Sequence, residues 1–156
     1  MTNKCEVERV FPIVQEEVGS GKVNVDRYLY YYPYLLQCLE NVQNNKSPIN
    51  ILKKMNVTRV GVYAVNEFMD YLLRDRLINR LDAVRLYDLN ENAYVDGYKE
   101  KSVFGFDRAC EDYTNSVIQK IVICNLYLAN RIADDFQEKG VRGEDIITID
   151  MLIFGD

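Results

Sequence analysis

Apolar residues recur at three- and four-residue spacing near the start of the chain, where Val7, Val10, Phe11, Val14 and Val18 share one helical face. That spacing predicts an amphipathic helix over residues 3–18, ended by Gly19-Ser20-Gly21. A second helix is expected from about residues 24–26 to residue 44. It carries the run Tyr28-Leu29-Tyr30-Tyr31-Tyr32-Pro33-Tyr34, whose proline should kink the helix or mark its true start. Ser47-Pro48 supplies an N-cap and a proline at the first helical position, which opens a short helix through Lys54. The pattern then changes. Residues 59–65 form a β-rich apolar run, the mark of a strand buried on both faces. A helix over residues 66–80 follows, with Phe68, Tyr71 and Leu72 facing inward and Leu77 as a further candidate. Residues 83–89 read as a second strand that ends in Asp88, Asn90 and Glu91. Beyond a polar loop over 92–101, short strand and helix patterns fall at 102–105 and 107–113. A strong strand covers 120–124, a helix closed by Gly140 covers 126–139, and a last strand covers 145–148. Residues 150–154 form a terminal turn or short helix.

Strands alternating with helices imply a mostly parallel sheet with helices on both faces. The fold class is therefore α/β: a Rossmann-like sheet of about five strands flanked by helices, over residues 48–156. An N-terminal helical extension covers residues 1–47. A chain of 156 residues with 48% hydrophobic content can bury such a core.

Charge narrows the partners. A net charge of −5 and a pI near 4.9 argue against a nucleic-acid-binding surface, which needs clustered Lys and Arg. Arg74, Arg76 and Arg80 do cluster, but Asp70, Asp75 and Asp82 interleave with them, as on a solvated helix face. Residues 1–18 are too charged for a signal peptide, and no apolar run approaches the ~20 residues of a membrane helix. The expectation is a soluble cytoplasmic protein without a membrane partner.

The candidate chemistry is narrowed further by two residue types. Cys5, Cys38, Cys110 and Cys124 lie far apart and read as buried thiols rather than a metal or redox site. Histidine is absent, which removes the commonest general base and every Ser-His or Cys-His triad. Catalysis would have to use carboxylates, tyrosines, lysines or a bound cofactor. The tyrosine-rich run has three readings: an aromatic platform for a sugar or base, a helix packed on its neighbours, or a partner surface. The packed helix is the simplest, and a homodimer through these helices is the partner that the third reading would allow.

The run INILKKMNVTRVGVYAVNEFM (residues 49–69) resembles the start of small Rossmann-like domains encoded in bacterial surface-polysaccharide gene clusters. AVRLYDLNE (83–91) is similar to that family's second strand with its terminal acid. KIVICNLYLANRIADDFQEKGVRGEDIITIDML (120–152) is similar to its fourth strand, helix and final strand. The likeness covers roughly residues 48–152. Such domains sit beside glycosyltransferases or at the front of sugar acetyltransferases, so the resemblance implies a nucleotide or nucleotide-sugar ligand. The three glycines of the family's Gly-x-Gly-x-x-Gly turn fall on Ala64, Asn66 and Met69. Asn66 would put a side chain where a pyrophosphate lies, and Met69 would push the helix off the strand.

What remains is the helix N-terminus around residues 66–68, with Glu67 competing for its dipole. Asp88 lies at the strand end where an acid binds ribose hydroxyls, and Asn125 and Tyr127 follow the fourth strand. The candidate binding residues are thus Ala64, Asn66, Glu67, Asp88, Asn125 and Tyr127, with no catalytic or metal set assigned and the cofactor left open. The functional expectation is a non-catalytic or accessory nucleotide- or nucleotide-sugar-binding domain. The alternatives are a small cofactor-dependent methyltransferase or reductase, and a dimerisation module with a vestigial crevice.

Overall fold

β-rich runs pair side by side, and in the computed structural model, which describes residues 22–155 and side chains from Leu29 onward, five of them form one sheet. The helix expected over residues 3–18, with its glycine terminator and Cys5, lies outside the described residues. The strands are β1 (Arg59–Tyr63), β2 (Ala83–Tyr87), β3 (Val103–Phe104), β4 (Lys120–Ile123) and β5 (Ile146–Thr148). They are all parallel, in the order β3-β2-β1-β4-β5. The helices are α1 (Lys22–Gln43), α2 (Pro48–Lys54), α3 (Glu67–Leu73), α4 (Phe106–Thr114), α5 (Ala129–Glu138) and α6 (Ile149–Phe154). This is the expected Rossmann-like α/β fold, with every strand present and each strand one or two residues shorter than its expected run.

Alternation along the strands divides the core in two. Val60, Val62, Leu86, Val122 and Ile147 face α1, α2, α3 and α6, whose Tyr31, Cys38, Ile49, Leu52, Phe68, Met69, Leu72 and Leu152 complete that layer. Tyr63, Tyr87, Ile121 and Ile123 face α4 and α5, against Ala109, Ala129 and Phe136. Gly61 belongs to the second face. A Cβ there would stand 2.7 Å from Ile118 Cδ1 and 2.8 Å from Tyr87 Cε2, so the missing side chain is what lets Tyr87 lie across β1.

Three elements differ from the sequence expectation. Pro33 neither starts nor ends α1; the helix runs through it. The helix expected over 66–80 stops at Leu73, with a separate 3₁₀ turn at Ile78–Arg80. Its end has a local cause: Asp75 Oδ1 accepts the Leu77 N–H at 2.8 Å and the Ser47 hydroxyl at 2.9 Å, a side-chain turn that competes with the helical ladder. The helix expected from residue 126 begins at Ala129, because Asn125 Oδ1 takes the Leu128 N–H at 3.0 Å and holds 125–128 as a turn. Among the described residues, no helix is long and apolar enough to cross a membrane.

Two buried carboxylates pin the second layer. Asp112 accepts from Tyr87 Oη (2.7 Å), Arg108 Nε (2.9 Å) and Arg85 Nη1 (3.3 Å), tying α4 to β2. Asp145 accepts from the Tyr113 hydroxyl, Lys120 Nζ (3.0 Å) and Arg142 Nε (3.0 Å) ahead of β5. Burial, the largest single influence on each carboxyl, pushes its pKa up. The hydrogen bonds and neighbouring cations together outweigh burial and leave both below the usual carboxylate range.

Candidate functional site

β1 is central, and its neighbours β2 and β4 are reached by chain running in opposite directions across the sheet. Connections leaving the carboxyl ends of such strands diverge, and a crevice opens between them. A cleft of about 430 Å³ lies at this point. Tyr63 and Phe106 form its aromatic floor, with ring centroids 6.0 Å apart in a T-shaped pair. Ala64, Asp88 and Asn125 stand at its rim. Leu128, Arg131, Ile132, Asp135, Glu138 and Lys139 form a wall along α5.

The bend after β1 keeps a glycine's backbone without the glycine. Ala64 has φ +81°, in the left-handed region that an L-residue rarely enters. It is held from both sides: Ala64 N–H donates to Tyr87 O at 2.9 Å, and Val65 N–H donates to Asp88 Oδ2 at 2.7 Å. Asp88 Oδ1 also accepts the Asn90 N–H at 2.8 Å. The acid expected to meet a ribose is therefore also the clamp that shapes the turn.

Asn66 lies differently from the sequence expectation. Its backbone is extended, and its side chain turns back into α3 rather than out over the bend. Oδ1 accepts the Phe68 and Met69 N–H groups at 3.0 and 3.1 Å, and Nδ2 donates to Cys124 O at 2.9 Å. One amide thus caps α3 and ties the end of β1 to the end of β4. Phe68 N–H, expected to be open to an anion, is occupied. Met69 is fully buried within the core layer.

Of the six sequence-derived residues, Ala64, Asp88 and Asn125 meet at the cleft. Asn66 lies behind the bend, and Glu67 sits half-buried in the first turn of α3; neither lines the cleft. Tyr127 points elsewhere: it is 68% exposed and meets Tyr30 of α1 edge-on, with ring centroids 5.6 Å apart. The α5 wall was missed. Its signal was present, since Leu128, Arg131, Ile132, Asp135 and Lys139 recur at the spacing of one helical face.

The floor and wall offer hydrogen bonding and stacking. Burial, helped by Asp88 and Asp135, pushes the Tyr63 hydroxyl up to about 12, so it is a neutral donor at physiological pH. Burial likewise pushes the Cys38 thiol up to about 12 and raises that of Cys124, leaving both as apolar core groups. Among the described residues, no group of three or more Cys, Asp or Glu is placed to hold a metal ion. Compared with known proteins, the chain matches no family model and no curated protein.

Proposed function

We propose that this chain is an accessory nucleotide- or nucleotide-sugar-binding domain, non-catalytic in itself, that serves surface-glycan assembly. The observation that carries the reading is the meeting of Ala64, Asp88 and Asn125 in one aromatic-floored cleft at the switch point of a Rossmann-like sheet. Asp88 keeps lone pairs beyond the two N–H groups it accepts, enough for ribose hydroxyls. The glycan context rests on the likeness of residues 48–152 to domains of polysaccharide gene clusters.

Calorimetry and thermal shift against nucleotides, nucleotide-sugars, NAD and S-adenosylmethionine test it. A ligand at 100 times its Kd adds about 2.7 kcal/mol of stability. Leu128→Trp, which fills the cleft from a 44% exposed position, abolishes that gain and leaves the unliganded melting temperature nearly unchanged. A stability gain confined to NAD or S-adenosylmethionine would move the reading to a reductase or methyltransferase. No gain with any of these ligands would sink it.

A second reading, self-association, is favoured by α1. Leu29, Tyr32, Leu36 and Leu39 are 63%, 50%, 44% and 58% exposed at alternating three- and four-residue spacing, on the side away from buried Tyr31 and Cys38. A seam of that spacing can pair with its own copy about a two-fold axis. Leu36→Lys then converts a dimer to a monomer in sedimentation analysis. A monomer in the unaltered protein at all concentrations would remove this reading.

A further inference from the structure

The bend after β1 has already committed four of the backbone N–H groups that a phosphate chain could use. Ala64 N–H is bonded to Tyr87 O and Val65 N–H to Asp88. Phe68 and Met69 N–H are bonded to Asn66 Oδ1. The Asn66 amide, 4% exposed, also bridges to Cys124 O, across the line between β1 and β4 that a linked diphosphate would follow. With seven residues, α3 is too short to compensate with a strong dipole.

The cleft's charges point the same way. Three carboxylates line it (Asp88, Asp135 and Glu138) against two cations, Arg131 and Lys139, and all of these but half-buried Asp88 stand on its exposed wall. Exposed cations are hydrated, and their attraction for an anion is screened. The groups left for a ligand are those that suit a base and a sugar. They are the half-buried Phe106 ring, packed edge-on against the buried Tyr63, the remaining Asp88 lone pairs, and the Asn125 NH₂, whose carbonyl partner is already taken by Leu128 N–H.

We infer that the cleft takes its ligand by the nucleoside half and leaves any phosphate chain in solvent, so that a nucleoside binds as tightly as its own diphosphate. The inference rests on the proposed function and specifies what that site recognises. Nucleotide-sugars enter by base and ribose, with diphosphate and sugar directed outward.

Calorimetric titration of the full chain with uridine, UDP, adenosine and ADP, each at low and high salt, decides it. For the base that binds, nucleoside and diphosphate should agree within about threefold at both salt concentrations. Inorganic pyrophosphate should not compete. The 2′,3′-dideoxynucleoside should bind about tenfold more weakly, because Asp88 loses its partners. The double variant Arg131→Ala with Lys139→Ala should change the affinities of nucleoside and diphosphate by the same factor. A diphosphate at least tenfold tighter than its nucleoside, or one weakened tenfold more than its nucleoside by the double variant, overturns the inference while the nucleotide-binding reading stands. Absence of binding by all four compounds, with nucleotide-sugars also silent, removes both.

Discussion

Ala64 holds a backbone geometry that favours glycine without being one. An L-residue at φ +81° costs roughly 1–2 kcal/mol, and it persists because the ladder bond to Tyr87 O on one side and the Asp88 clamp on the other fix the bend. Glycine would relieve that strain and lose part of the gain to its freer unfolded chain. Ala64→Gly should therefore stabilise the protein by about 0.5–1 kcal/mol in urea denaturation. A destabilised Ala64→Gly would mean that the Ala64 methyl makes contacts worth more than the strain. The sequence showed only an alanine where the turns it resembles carry glycine. The clamp was hidden, because Asp88 meets Val65 from just past the end of β2, 23 residues away.

At the scale of elements, the strands were legible because a strand buried on both faces must be a continuous apolar run, and each such run became a strand. Helix ends were less legible. α2 opened at Ser47-Pro48 as read, since its cap is local: Ser47 Oγ accepts the Ile49 N–H at 3.1 Å. α3 ended early because Asp75 shares its carboxylate with Ser47, a partner that only the fold brings near. The start of α3 depends on Asn66. Asn66→Ala strips the cap from two buried N–H groups and leaves Cys124 O without this donor, at a cost of about 2–4 kcal/mol. Asn66→Ser should recover the cap share, about 1 kcal/mol, and not the link to β4. Equal losses in the two variants, measured by chemical denaturation, would show that the cap contributes little, and a full recovery in Asn66→Ser would show the same of the link.

Across the whole molecule, the helical N-terminal part and the α/β part share one core layer. Tyr31 meets Phe68 with ring centroids 5.4 Å apart, and Asn41 Nδ2 donates to Ile153 O at 2.8 Å. The opposite layer depends on Asp112 and Asp145, whose folded pKa values are lowered. A carboxyl depressed in the folded state contributes stability above its unfolded pKa of about 3.9 and loses it as pH falls through the folded value. The protein should therefore hold its stability at neutral pH and lose it steeply below about pH 4. Asp112→Asn should start less stable and show a shallower acid loss. An acid slope identical in the variant would remove Asp112 as a cause.

Local periodicity determined the order and type of the elements, and with them a parallel sheet, since strands separated by helices have little other way to pair. It also put Ala64, Asp88 and Asn125 at strand ends, where a switch-point crevice gathers them. Tertiary structure alone decided that the α5 wall joins the cleft, that Tyr127 turns to Tyr30, and that Asn66 closes the bend. The reason is range. Hydrophobic spacing acts within a few residues, whereas Asn66 and Cys124 lie 58 apart and become neighbours only when β4 pairs beside β1.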